Sequence, residues 1–128
     1  MEEGSTMLIK LGFFDEIPTD EALSILQDFK NNGPLKNESK VIQYLQSGTE
    51  LFIVAGLATD LLSKNNEVIG SLIVSSDGEW CWSSDIVYYI NKYHIAIPSD
   101  FLSRMEKLDW QCPLVGNSKD LISENWQI

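Results

Sequence analysis

The chain has 128 residues, of which 44% are hydrophobic and 22% are charged. This length and composition predict one globular domain, spanning residues 1–128, that buries a core without disulfides or a metal ion. Nineteen acidic residues against nine basic residues give a net charge of −10. Such a charge repels nucleic acids and anionic membranes and attracts basic proteins, so we expect neither a nucleic-acid partner nor a membrane partner.

The cysteines and the N-terminal residues indicate the compartment. Cys81 and Cys112 lie far apart in the sequence and form no CxxC motif. The stretch MEEGSTMLIKLGFF begins with acids, and its apolar run is too short and interrupted for a secretory signal. No apolar run approaches the roughly 18 residues of a membrane-spanning helix. The sequence therefore predicts a cytoplasmic protein with reduced thiols.

The first third of the chain predicts a short strand and two helices. Residues 7–14 (MLIKLGFF) are apolar and fit a strand. A helix follows, with Thr19 as its N-cap and acids in its first turn, and Gly33-Pro34 ends it. A second helix covers residues 38–47, with Gly48 at its C′ position. The apolar stripe of the first helix consists of Ala22, Ile25, Leu26 and Phe29.

The middle of the chain predicts strands connected by a tight turn. Residues 49–55, 68–75 and 79–82 have the β-branched and aromatic content of strands. Asp77-Gly78 separates the last two runs and is a strong hairpin signal, because both residues tolerate a positive φ. Residues 56–63 are ambiguous, since they fit either one helical face or an extension of the preceding strand.

The strand at residues 79–82 contains two tryptophans. Trp80 and Trp82 lie two positions apart, so both face the same side of the sheet. Cys81 between them is expected to be a small buried or half-buried residue. The tryptophans are therefore predicted to matter more for folding than for chemistry.

The last part of the chain predicts two further helices. Ser84 caps the first of these, which extends to about Tyr93, and the second begins at Ser99 or Asp100. The remainder is weakly patterned, although Trp126 is expected to dock onto the body of the protein. Helices thus flank a set of strands connected by hairpins. The sequence predicts an α+β fold, with a central, mainly antiparallel sheet and helices packed mainly on one face.

Few residues in the chain suggest catalysis. His94 is the single histidine and lies at a helix end, where a histidine is ordinarily structural. One histidine and two separated cysteines do not form a zinc site, and the chain has no DxDxDG calcium loop and no phosphate-binding glycine motif. We therefore predict that the protein is not an enzyme and has no cofactor.

Acidic and aromatic residues are the remaining candidates for a site. The first acidic cluster comprises Asp15, Glu16, Asp20 and Glu21, and the second comprises Asp77, Glu79 and Asp85. Tyr88 and Tyr89 point about 100° apart on their helix, so one tyrosine is expected at the surface. Tyr88 is therefore predicted to be an exposed aromatic anchor whose removal leaves stability nearly unchanged.

The run DGxWxWxxDxxYYxxxYHxxxPxxF, which extends from Asp77 to Phe101, resembles a group of small, acidic, mostly uncharacterised bacterial proteins. Trp110 belongs to the same resemblance, which covers about the C-terminal half. In size, in acidity and in lacking catalytic motifs, the chain is similar to immunity proteins of bacterial polymorphic toxin and contact-dependent inhibition systems. The resemblance implies a protein that binds a partner and supplies no catalytic residues.

These observations predict an immunity-type inhibitor that neutralises a basic toxin domain, such as a nuclease, by covering its surface. The predicted contact residues are Asp15, Glu16, Asp20, Glu21, Asp77, Glu79, Asp85 and Tyr88. The alternative is a small enzyme or ligand-binding domain, with a pocket between the aromatic helix and the sheet and with Asp85 or His94 as its polar element. A structural subunit of a homo-oligomer is a third interpretation, and the sequence leaves the oligomeric state open.

Overall fold

The computed structural model describes residues 7–126, except for the side chain of Asp15. Its elements confirm the predicted α+β fold. In chain order they are β1 (Ile9–Leu11), a 3-10 turn (Phe14–Glu16), α1 (Thr19–Phe29), α2 (Glu38–Gln46), β2 (Thr49–Thr59), β3 (Val68–Ser76), β4 (Trp80–Ser83), α3 (Asp85–Tyr93), α4 (Ser99–Lys107) and α5 (Ser118–Trp126).

The four strands form one sheet in the order β1-β4-β3-β2. Strand β3 pairs antiparallel with β4, as the Asp77-Gly78 hairpin signal predicts, and antiparallel with β2 on its other side. Strand β1 adds a parallel edge, because Ile9 lies beside Trp80 and Leu11 beside Trp82. The sheet is therefore mixed but mostly antiparallel, with β1 and β2 at its two edges.

The Asp77-Gly78 turn joins β3 to β4 as predicted. The amide of Asp77 donates to the carbonyl of Trp80 at 3.2 Å. Gly78 has a φ of 97°. The Asp77 carboxylate accepts hydrogen bonds from the amides of Glu79 and Trp80 at 2.9 and 2.7 Å. The turn is thus fixed by its aspartate side chain as well as by the conformational freedom of glycine.

The helix-facing side of the sheet holds the larger part of the core. Trp80 and Trp82 are 6% and 1% exposed, and both pack among residues of α1 to α4, as their spacing predicts. The ring of Trp80 stacks on Phe101 with centroids 4.4 Å apart. The indole Nε1 of Trp82 donates to the carbonyl of Leu45 at 3.0 Å. Trp82 therefore buries its polar atom with a partner.

Gly48 follows α2 at the predicted C′ position, but its structural reason is packing. A Cβ at this position would lie 2.5 Å from Cζ2 of Trp82 and 3.1 Å from Cβ of Ser75. Real side chains do not approach so closely, so the chain passes the buried indole only because residue 48 has no side chain. Its φ is not in the positive region.

The opposite face of the sheet carries a second, smaller core. Val74 and Cys81 point to this side, where they meet Leu121 of α5. Sequence analysis missed α5, because Leu121 is its one fully buried residue and its apolar stripe is weak. Trp126 docks as predicted, with its ring 5.0 Å from that of Phe52. The helices therefore lie mainly, and not entirely, on one face.

Two predicted helix caps differ from the structure. Thr19 is the first residue of α1, and Pro18 occupies the N-cap position. Ser84 occupies the N-cap of α3 but makes no side-chain cap, because its hydroxyl accepts a hydrogen bond from the amide of Ile73 at 2.9 Å. The hydroxyl thus connects the helix start to β3. The ambiguous residues 56–63 continue β2 to Thr59 and then turn.

Candidate partner-binding surface

The outward side of α1 is strongly acidic. Ala22 and Leu26 face the core at helical spacing, which leaves Asp20, Glu21 and Asp28 exposed. We call these three residues the acidic face. Helix α1 contains no basic residue, and none of the ion pairs among residues 7–126 involves the acidic face. Its carboxylates therefore point to solvent without a neutralising cation.

The other predicted acids before α1 add less to this surface. Glu16 is exposed and lies 3.9 Å from the ammonium of Lys10, so part of its charge is compensated. Asp15 has a side chain that lies outside the described residues. The prediction that Glu16, Asp20 and Glu21 contact a partner is untested and remains a prediction.

An apolar cavity of about 400 Å³ lies beside the acidic face. We call it the α1 cavity. Ile25 and Phe29 form its α1 wall, and the Phe29 side chain is half exposed at the rim. Its other walls include Leu11, Phe14, Ile86, Ile95, Ile97 and Pro98.

The helical spacing places charges at the rim of the α1 cavity. Glu21 precedes Ile25 by four residues, and Asp28 follows it by three, so both lie next to that side chain on the helix surface. Exposed Asp100 follows Pro98 and Ser99 on the opposite wall. Lys30 directly after α1 is the nearest base in sequence. An apolar hollow with a mainly acidic rim results.

Asp77 is buried, contrary to the prediction that it belongs to a second acidic contact surface. Its carboxylate is fully buried. It accepts hydrogen bonds from the Tyr44 hydroxyl at 2.5 Å and from Nε of Arg104 at 2.9 Å, besides those from the turn amides. Burial and the Asp77 hydrogen bond raise the pKa of Tyr44, so its hydroxyl stays protonated and donates. Asp77 is thus a structural residue and is not available to a partner.

Asp85 is also buried, again contrary to the prediction of a second acidic contact surface. It is 4% exposed and accepts a hydrogen bond from the Ser83 hydroxyl at 2.6 Å. That hydroxyl in turn accepts from the amide of Phe13 at 3.2 Å. Asp85 therefore helps to fasten the segment after β1 to the start of α3. Glu79 is exposed as predicted, and its carboxylate lies 3.6 Å from Nη1 of Arg104.

The contacts of Tyr88 differ from those predicted for an exposed aromatic anchor. It is only half-buried, but its hydroxyl donates to the carboxylate of Asp60 at 2.7 Å. Tyr93 donates to the same oxygen at 2.7 Å, and Lys92 lies 3.4 Å away. Tyr88→Ala would leave a buried acid with fewer donors, so we expect it to lower stability, contrary to the expectation from the sequence.

Sequence analysis missed Asp60, which is fully buried at the end of β2. The available signal was its position before a turn, since the amide of Leu62 donates to its carboxylate at 2.8 Å. Burial alone would raise the pKa of Asp60, but the hydrogen bonds from Tyr88, Tyr93 and Leu62 outweigh burial and lower it.

Because the fold lowers the pKa of Asp60, its ionised form stabilises the protein above about pH 4, the ordinary aspartate value. That contribution is lost as the pH falls through the lower pKa of the folded state. We expect Asp60→Asn to reduce the free energy of unfolding at pH 7. The gap in this free energy between the variant and the unmodified protein should narrow in acid. Urea titrations at several pH values measure the gap. A gap that is constant with pH would contradict this role. Asp109→Asn, at an exposed position, is the control.

The histidine and the cysteines have structural environments. Nδ1 of His94 lies 2.9 Å from the Glu38 carboxylate, which also accepts a hydrogen bond from the amide of Leu35. Cys81 and Cys112 are free thiols. Burial raises the pKa of Cys81 to about 12 and that of Cys112 to about 11. Both thiols are therefore protonated at neutral pH.

A second cavity, of about 260 Å³, lies between α3 and the sheet, where the alternative interpretation expects a pocket. We call it the α3 cavity. Asp85 and Tyr89 are among its lining residues, and His94 is not. The Tyr89 hydroxyl accepts a hydrogen bond from the amide of Leu61 at 3.0 Å. Both polar groups are thus engaged in holding the fold.

Comparison of the chain with protein-family models, with curated proteins and with solved structures gives no match. Within residues 7–126, none of the helices combines the length and the apolar character needed to cross a membrane.

Proposed function

We propose that the chain is an immunity-type inhibitor that binds a basic bacterial toxin domain and covers its functional surface without catalysis. The observation that carries this proposal is the acidic face of α1 next to the exposed mouth of the α1 cavity. The size and acidity of the chain and its lack of catalytic motifs, which are similar to those of immunity proteins, suggest the same function. In this proposal the protein acts in the cytoplasm.

The charge explains how such an inhibitor finds its target. Carboxylates that lack neighbouring cations accelerate the encounter with a basic partner, and like charges reject acidic competitors. A toxin domain that cuts nucleic acid must present cations to the phosphate backbone. An acidic protein is therefore suited to cover the surface that the substrate of a nuclease needs.

The α1 cavity offers an apolar pocket for an anchoring side chain, which charge alone does not provide. Interfaces draw most of their binding energy from a few anchors that fill apolar pockets, while the charged rim sets orientation and on-rate. A partner segment with one apolar side chain between lysines or arginines fits this arrangement. Its apolar side chain enters beside Ile25 and Phe29, and its cations meet Glu21 and Asp28.

The direct test is protection of growing cells. We expect the chain to restore growth of bacteria that express the toxin domain encoded beside its gene, and to bind the purified domain. Neighbouring genes unrelated to toxins, or a toxic neighbour that binds but is not neutralised, would contradict the proposal. Protection by a control acidic protein of similar size would show that charge alone suffices.

The binding surface is tested with that same toxin domain. We expect Glu21→Gln with Asp28→Asn to lower the on-rate on the order of tenfold in low salt, with a smaller loss near 0.2 M salt. Stopped-flow fluorescence measures the rates. The matched control is Glu106→Gln with Asp109→Asn, which removes the same charge from two exposed positions, one in the last turn of α4 and one just after the helix. Equal losses in both double variants would place the interface elsewhere.

The alternative, a small enzyme or ligand-binding domain, is favoured by the α3 cavity and its lining residues Asp85 and Tyr89. A small molecule held there should raise the melting temperature. Leu72→Trp, which fills the cavity, should abolish that shift and leave toxin binding unchanged. Toxin neutralisation that depends on Leu72 but not on Glu21 would favour a role for this cavity over that of the acidic face.

A further inference from the structure

One wall of the α1 cavity is the segment that connects α3 to α4, residues 94–98 (HIAIP). We call this segment the strap. Its last four residues line the cavity together with Ile25 and Phe29 of α1. The strap belongs to neither a helix nor a strand, so no ladder of backbone hydrogen bonds within it fixes its course. The position of this wall therefore depends on contacts with neighbouring elements.

The ends of α1 and α3 supply such contacts. The last carbonyls of a helix have no partner within that helix. At the end of α1, the carbonyl of Phe29 accepts a hydrogen bond from the amide of Ala96 in the strap at 2.9 Å. At the end of α3, the carbonyl of Tyr93 accepts one from the amide of Asn31 at 3.1 Å. The two helix ends are thus joined through the strap and through Asn31.

The side chain of Asn31 strengthens this junction. Its amide nitrogen Nδ2 donates to the carbonyl of Phe29 at 3.1 Å and to the carbonyl of His94 at 3.0 Å. Both hydrogens of that NH₂ group are therefore used, one at the end of α1 and one at the first residue of the strap. Asn31 is exposed, so its side chain does not fill the core. Its contacts serve the junction between α1 and the strap.

We propose that Asn31 is a positioning residue for the α1 cavity, because its side chain holds the strap against the end of α1 and so keeps the cavity open for the partner's apolar anchor. This inference rests on the proposed function. A pocket whose walls are already ordered binds more tightly, because binding does not have to order them. Affinity differences among variants of one interface lie mostly in the off-rate. Asn31 should therefore slow the release of the partner.

The rest of the strap stays attached when the Asn31 side chain is removed. Ile95 and Ile97 are buried, which keeps the strap on the body of the protein. Nδ1 of His94 lies 2.9 Å from the Glu38 carboxylate, so the start of the strap is also held to α2. We therefore expect a looser junction with α1 in a protein that remains folded.

Hydrogen exchange of the free protein, measured by NMR, tests the junction. Asn31→Ala should speed the exchange of the Ala96 amide on the order of tenfold. Asn31→Asp, which keeps the shape but removes the donors, should do the same. Asn32→Ala is the matched control, since it removes an exposed asparagine side chain one residue away and leaves the bonds of Asn31 in place. Unchanged exchange in both Asn31 variants, or an equal increase in the control, would overturn the proposal.

Stopped-flow kinetics with the toxin domain encoded beside the gene tests the effect on binding. We expect Asn31→Ala to raise the off-rate about five- to tenfold and to change the on-rate by less than about twofold, because the acidic face is intact. A residue that only supports the fold would not produce this split. Asn32→Ala should match the unmodified protein. Binding with an unchanged off-rate in Asn31→Ala would overturn this inference alone. Absence of binding by the unmodified protein would overturn the proposed function and this inference together.

Discussion

Trp82→Ala is expected to lower the free energy of unfolding by about 3–5 kcal/mol. The indole is 1% exposed and contacts Tyr44 and Phe101 in the core. Its removal leaves a cavity and also leaves the Leu45 carbonyl without its indole donor. Domains of this size are held by only about 5–15 kcal/mol, so the variant is close to unfolding. Urea denaturation monitored by circular dichroism measures the change.

Trp110→Ala is the matched control for this prediction. The same side chain is removed, but Trp110 is only half-buried and packs at the margin of the core. We expect a clearly smaller loss of stability. Equal losses from the two substitutions would mean that Trp82 does not have the special place in the core that the structure gives it.

Asp77→Ala is expected to lower the free energy of unfolding by about 3–5 kcal/mol, because it breaks a partly buried ion pair and leaves several donors without their acceptor. The Tyr44 hydroxyl, the Arg104 guanidinium and the turn amides all lose the same acceptor. Glu79→Gln is the control, since its exposed carboxylate makes only a rim contact with Arg104. That change should alter stability by about 0–1 kcal/mol.

A double-mutant cycle tests whether Asp77 acts through its partners. Tyr44→Phe removes the buried hydroxyl and leaves the ring. If the hydroxyl is a real partner of Asp77, the loss in the double variant should fall short of the sum of the two single losses by about 0.5–3 kcal/mol. Simple additivity would show that the hydrogen bond contributes nothing to stability. Urea titrations of the four proteins give the coupling energy.

The parts of the fold that sequence analysis predicts are those that nearby residues determine. The Asp77-Gly78 hairpin and the shared side of Trp80 and Trp82 depend on turn chemistry and on the period of two, and both are confirmed. Helix α5 was missed, because it is held by the distant Phe52 and by the bond from the amide of Leu8 to Asn125. No local pattern in the sequence reveals such partners.

For the site residues, too, sequence analysis is right where nearby residues decide the outcome and wrong where distant residues do. A carboxylate beside a turn ordinarily faces water, so Asp77 looked like a surface residue. Its burial depends on Tyr44 and Arg104, which lie 33 and 27 residues away in the chain. Asp20 and Glu21 were placed correctly at the surface, because the apolar stripe of α1 fixes which side faces the core. Their contact with a partner is a prediction.

Because β1 pairs with β4, which lies far along the chain, β1 can join the sheet only late in synthesis. Ile9 leaves the ribosome 71 residues before Trp80, its neighbour in the sheet. At about 5–20 residues per second, β1 waits on the order of 10 s for that neighbour. The bond from Leu8 to Asn125 spans 117 residues and forms later still. The β3–β4 hairpin, in contrast, closes as soon as it emerges. We therefore expect β1, which is synthesised before the other three strands, to be the last of the four to join the sheet. A chaperone that shields residues 7–14 would have the longest time to act on that segment.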